Sequence, residues 1–255
     1  MRQQFATITL ILSLGLLSSL SASAQTGAYS VDNKRELQGD LGVAIYRTPA
    51  VTHAAGDANV VLPYAFADYG NFFARVDTFG VKLMPLGAGS LELSGRLSFE
   101  GYKSVGYNGI QERSRPVPVG LSTFQETPYG AFFLYSFYDV NSGGTLLDAT
   151  YAAEFKLGGM SIYPQLGLER RSAKYVQHLY GVSAQENASS GLAAYNPGNS
   201  LSPNFGVAFA YPLENDYSLT LQVRKKWLDS SITDSPLVNS KSQLSSFLSL
   251  TRSFK

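Results

Sequence analysis

His53 and His178 are the chain's two histidines, and no cysteine accompanies them. Serine–histidine catalysis needs an imidazole oriented by a carboxylate and a hydroxyl within its reach. Here the nearest acidic residues in sequence are Asp57 and Glu186, in segments that read as loops. A solvated loop histidine is what such positions support. A membrane-barrel phospholipase would need a Ser/His pair on the lipid-facing wall, and a barrel protease a histidine with carboxylates at the outer rim; neither constellation is legible. Two isolated imidazoles without thiolates offer no zinc or iron–sulfur ligand set, and no acidic run has the spacing of a calcium loop. The sequence therefore implies no cofactor and no enzyme.

The chemistry that the spacing does support is electrostatic. Glu92, Glu100, Asp148, Glu154 and Glu169 stand against Arg96, Lys156, Arg171, Arg224 and Lys226 on the polar side of segments that alternate polar and apolar residues. Five charges of each sign suggest mutual pairing across an enclosed space. A paired interior means a narrow or plugged passage, because unpaired rings of one sign are what tune a selective pore. The alternative, charges hydrated separately inside, is equally compatible with the pattern.

Strands must position these charges. From Leu91 to Glu100 one face carries Leu91, Leu93, Gly95, Leu97 and Phe99 and the other Glu92, Ser94, Arg96, Ser98 and Glu100, a separation that only a period of two achieves. Leu147 to Leu157 repeats the scheme, Gly158-Gly159 makes a tight turn, and the segment from Met160 to Arg171 completes a hairpin. Tyr217 to Lys226 follows the same rule.

A soluble sandwich and an outer-membrane barrel both use such strands, with opposite faces in the core. The segments run to about 10 residues, the length that crosses a bilayer obliquely, where sandwich strands average nearer five or six. Aromatics gather near strand ends, as in Tyr64, Phe66, Tyr69, Phe72 and Phe73 or Tyr135, Phe137 and Tyr138, where interfacial girdles belong; a core aromatic cluster is the alternative. The last segment, Gln243 to Lys255, sets Leu248, Leu250 and Phe254 on one face, the form of closing strand that barrel-insertion machinery reads. Arg252 interrupts that face and must snorkel toward the interface.

Membrane barrels alternate short periplasmic turns with longer outer loops around an even number of strands. The long connections are 48–58, 101–116, 174–201 and 229–242. Making both lists of connections consistent requires a break near Asp77-Thr78 and a separate strand over Val117 to Gln125. The expected fold is all-β, a transmembrane antiparallel barrel of about 12 strands, with 10 as the alternative count. Ser183-Ala184-Gln185-Glu186 is a capping box, with Gly191 placed to end its helix, so one outer loop should carry a short helix that shapes a lid.

Composition agrees with this class. Charged residues make up 15% of the chain and aromatics 13%, against about 25% charged in ordinary soluble domains. With 20 basic and 19 acidic residues there is no polybasic footprint, hence no nucleic-acid partner. Arg2, the apolar run Ile8 to Leu20 and Ala22-Ser23-Ala24 read as a cleaved export signal over 1–24. That leaves a periplasmic segment over 25–40 and the barrel over 41–255.

The loop wording is more specific than the periodicity. Tyr180-Gly181-Val182-Ser183, Ser190-Gly191-Leu192, Ala194-Tyr195 and Asp234-Ser235-Pro236-Leu237-Val238 resemble the MipA/OmpV outer-membrane family. Leu62-Pro63-Tyr64, Pro118-Val119-Gly120-Leu121 and Gln125-Glu126-Thr127-Pro128 support the match, while the terminal Lys255 departs from the family's aromatic ending. The resemblance implies an outer-membrane barrel amid lipid and lipopolysaccharide. Its name-giving member is a scaffold joining a lytic transglycosylase to a murein synthase; other members are discussed as porins, adhesins or antigens.

Overall fold

Period-two segments become strands because neither helix nor loop could hold Leu and Glu at successive positions on opposite sides. The computed structural model describes residues 36–53, 55–103 and 108–254; the expected export signal and most of the expected N-terminal segment lie outside them. The strands are β1 (Leu37–Thr48), β2 (Ala58–Tyr69), β3 (Phe72–Arg75), β4 (Thr78–Leu86), β5 (Gly89–Arg96), β6 (Pro118–Thr127) and β7 (Gly130–Asp139). They continue as β8 (Thr145–Ala153), β9 (Phe155–Leu157), β10 (Met160–Arg171), β11 (Ser200–Pro212), β12 (Tyr217–Trp227) and β13 (Ser242–Phe254).

Each strand pairs antiparallel with its neighbours, and β13 returns to β1 in register from Gly39↔Phe254 to Arg47↔Ser246. The sheet is thereby closed, the one way for strands to cross lipid without an open edge. β8 and β9 both lie along β10, so the wall has the 12 positions expected from turn parity. The expected break falls at Val76-Asp77, where Val76 takes φ 59°.

Of two expected strands, one ends early and one is broken. The segment read through Glu100 stops as β5 at Arg96: Leu97 N donates to Asp77 O at 2.8 Å, and the chain turns inward until Phe99 stacks on Tyr46 at 6.5 Å. On the β3 side, β2 is paired only from Phe66 to Tyr69, with the four residues of β3. The segment from Leu147 to Leu157 breaks at Glu154, whose N–H donates to Tyr129 O.

Apolar residues face out. Leu166 is 65% and Val61 64% exposed, whereas lumen-facing Ser202 and Glu92 are 1% and 2% exposed. A soluble sandwich would show the reverse, so the pattern fixes which face meets lipid. The aromatics divide along the same line. Tyr69, Phe72 and Tyr138 are exposed on the outer face, but Tyr64, Phe66, Phe73, Tyr135 and Phe137 point inward with the even or odd faces that hold the charges. Clustering near strand ends therefore marks three of these eight as girdle, because neighbours on one strand alternate sides.

Candidate functional site

The lumen and the loops that close it concentrate the polar chemistry. At the outer end, Glu169 of β10 accepts from Arg171 Nε at 2.8 Å and from Lys226 Nζ of β12 at 3.0 Å, and Arg171 Nη2 donates to Glu100 at 2.8 Å. One strand over, Arg96 Nη1 donates to Asp148 at 2.8 Å and Arg96 Nε to Thr78 Oγ1 at 3.2 Å, while its guanidinium lies 4.3 Å from the Tyr135 ring centre. Aromatic faces beside paired cations add cation–π attraction and exclude water. Buried charges persist when paired and hydrogen-bonded in this way.

Six of the ten charges named from sequence thus meet in these two networks. Glu92 accepts from Ser122 Oγ at 2.8 Å and Ser90 Oγ at 3.3 Å. The other three stand apart from the networks. Glu154, at the strand break, accepts from the Tyr163 hydroxyl at 3.3 Å. Lys156 is exposed on β9 at the periplasmic end, and Arg224 faces the lumen between Gly206 and Ser245.

A third cluster was missed. Asp68 accepts from Arg75 at 2.7 Å and from Lys82 at 3.0 Å, and the Arg75 guanidinium lies 5.0 Å from the Phe66 ring, 5.1 Å from Phe73 and 5.4 Å from Phe124. The available signal was parity: Asp68 shares its face with Tyr64 and Phe66, which places it inside once those rings are inside.

The outer loops fold over the opposite end, above Glu169 and Arg171. Helix α1 (Ala173–Tyr180) sets Tyr175, Val176, Leu179 and Tyr180 against Val51, the lumen-facing Phe137 and Leu146, and Ile232 of the short helix α3 (Ser230–Thr233). A second cluster joins Tyr102, Ile110, Val182 and Leu237. Bridges Thr52↔Val238 and Val182↔Tyr195 tie the loops together, and Ser235 Oγ donates to Tyr180 O at 2.6 Å. The expected capping box is present. Helix α2 (Ala184–Ser190) starts at Ser183, whose Oγ accepts from Glu186 N, and ends at Gly191 with φ 76°.

Glu186 does more than cap. Its carboxylate also accepts from Gln111 N at 3.0 Å and Arg113 Nη2 at 2.7 Å. Burial pushes its pKa up, but the hydrogen bonds from Ser183 and Gln111 and the Arg113 charge outweigh that and hold it below the usual carboxylate value. Asp229, which caps α3 through Ser231 N, is likewise held low against its burial. Burial raises the Tyr102 and Tyr180 phenols. The histidines sit in this lid: His178 Nε2 is 2.8 Å from Ser114 O, and His53 Nδ1 is 3.3 Å from Asn239 Nδ2. The arrangement binds loops to loops: Ser114 Oγ lies 3.4 Å from His178 Nε2, but among the described residues no carboxylate bonds that imidazole.

A family model described as MltA-interacting protein MipA matches residues 41–254. The chain belongs to the MipA family. It is 28% identical over 225 residues to the MltA-interacting protein of Escherichia coli, covering 78% of this chain and 91% of that one. OmpV of Vibrio cholerae is 27% identical over 137 residues, 53% of each chain. Among solved structures, the anion-selective porin of Comamonas acidovorans aligns at a TM-score of 0.35 with 6% identity, over 86% of this chain and 98% of that one. This MipA-family barrel is an outer-membrane protein, as its relatives are named to be.

Proposed function

We propose that this MipA-family barrel is a non-enzymatic scaffold for murein synthesis and hydrolysis machinery, engaging a lytic transglycosylase at its periplasmic face. The observation that carries the reading is the lid over the outer end: α1 packs its apolar face onto Phe137 and Leu146 of the wall, and the charges beneath are already paired. A barrel built this way holds a place in the membrane more readily than it conducts. The name of the E. coli relative supports the choice of partner. The periplasmic turns, 70–71, 87–88, 128–129, 158–159 and 213–216, are short. The contact therefore falls on that rim, together with the segment before Leu37.

Mild crosslinking in intact envelopes, followed by purification of the heat-modifiable barrel, tests this. Co-purification of a lytic transglycosylase or murein synthase is expected, and deletion of residues 26–35 should abolish it; a barrel recovered alone overturns the reading. Passive passage of small solutes is the second reading, favoured by the polar lumen residues Ser94, Ser122, Asn204 and Thr251. It requires the lid to leave, and steady conductance steps from the folded barrel in planar bilayers would establish it.

A further inference from the structure

A furrow crosses the lipid-facing wall of β5 to β11. Its floor is made of small side chains on adjacent strands, Thr123, Ser136 and Ala149, whose register partners Leu134, Leu147 and Leu168 stand up around them. The depression has a volume of ≈ 490 Å³.

The furrow ends at a charge. Arg170 lies in register between Leu147 and Leu201, on the exposed face, and none of the ion pairs or side-chain hydrogen bonds among the described residues reaches it. It stands ten residues above Met160 on a strand rising about 3.3 Å per residue and tilted about 40°, hence ~25 Å up, the height of a barrel's apolar band. A cation at that height costs little in lipid, but its neighbours are leucines and its counter-ion must come from outside the chain. A guanidinium offers phosphate a planar, two-pronged donor set.

We propose that this furrow seats one acyl chain of a phosphorylated outer-leaflet glycolipid, with the headgroup phosphate on Arg170. Occupant and site agree in two respects: an apolar trough and a single positive charge at the outer interface. The site is independent of the lumen and of the scaffold reading.

Native mass spectrometry of the detergent-purified, folded barrel titrated with lipid A is the test. The wild type should bind one lipid A. Arg170→Gln should weaken it about tenfold, which corresponds to ~1.4 kcal/mol, and Ala149→Phe, which fills the floor, should weaken it comparably; heat-modifiability confirms that each variant is folded. Arg170→Lys should retain part of the affinity, and inorganic phosphate should not compete. Equal binding of dephosphorylated lipid A or of phosphatidylethanolamine, or wild-type affinity in either Arg170→Gln or Ala149→Phe, would overturn the proposal.

Discussion

Arg113 Nη2 donates both to Glu186 Oε1 at 2.7 Å and to the carbonyl of Gly181 at 2.9 Å. One side chain from the loop after β5 is thus a node that holds the end of α1 and the first turn of α2 at once.

Removing the node should free the lid and spare the wall. Glu186→Gln leaves Arg113, largely buried, without its counter-charge, a loss of about 3 kcal/mol for a broken buried pair. Hydrogen exchange should then accelerate across 173–195 and 108–113, while the barrel's heat-modifiable migration stays unchanged. Equal exchange in the variant and the parent would remove the node from the account.

Acid should act on the same point. The Glu186 carboxyl titrates below its unfolded value, so its contribution is present above about pH 4.3 and is lost as pH falls through the lower folded value. The Tyr102 and Tyr180 phenols are raised by burial, so their contribution is present below about pH 10 and declines above it. Lid protection, followed by proteolysis of folded barrels in vesicles, should therefore hold between those limits and fail on either side.

Arg171→Met should be among the most damaging lumen substitutions. It strands Glu169 and Glu100 against Lys226 alone, with an expected cost of about 3–5 kcal/mol. The double variant Arg171→Met/Glu169→Gln should recover part of that loss in urea unfolding from lipid vesicles, because the two charges are coupled.

The two faces of β10 should respond oppositely. Leu166→Arg puts a charge into mid-bilayer at a cost of about 2–4 kcal/mol, whereas Gln165→Glu, its lumen-facing neighbour beside Gln222, should change folding free energy far less. Comparable losses at both positions would contradict the assigned orientation.

The wall was legible in the sequence because period-two patterning leaves one residue of choice per step: the break at Val76-Asp77, the joined β8–β10 hairpin and the count of 12 all follow from turn spacing. Pairing within the lumen was legible only in part. Parity says that Glu169 and Arg96 point inward, yet it says nothing of height, so it could not show that Glu169 meets Lys226 while Lys156 sits at the far end. Glu100 reaches Arg171 from a loop, although it had been assigned to a strand. The capping box showed α2; α1 and α3 were missed. α1 starts at Ser172 without a side-chain cap bond, and α3 is a single turn that its Asp229 cap does not distinguish from any Asp-Ser loop. The loop residues that resemble the family, Tyr180, Val182, Tyr195, Ser235 and Leu237, prove to be the packed interior of the lid.

The pairing of Gly39 with Phe254 has a consequence for how the chain must be made. β1 and β13 are more than two hundred residues apart, so the first strand to emerge waits for the last before either has a complete set of neighbours. Until then every intermediate carries two raw edges and an apolar exterior with no lipid around it, the form most prone to stick to its own copies. Assembly is all or nothing at a single seam, and a chain lacking β13 should be found by proteases, not by the membrane.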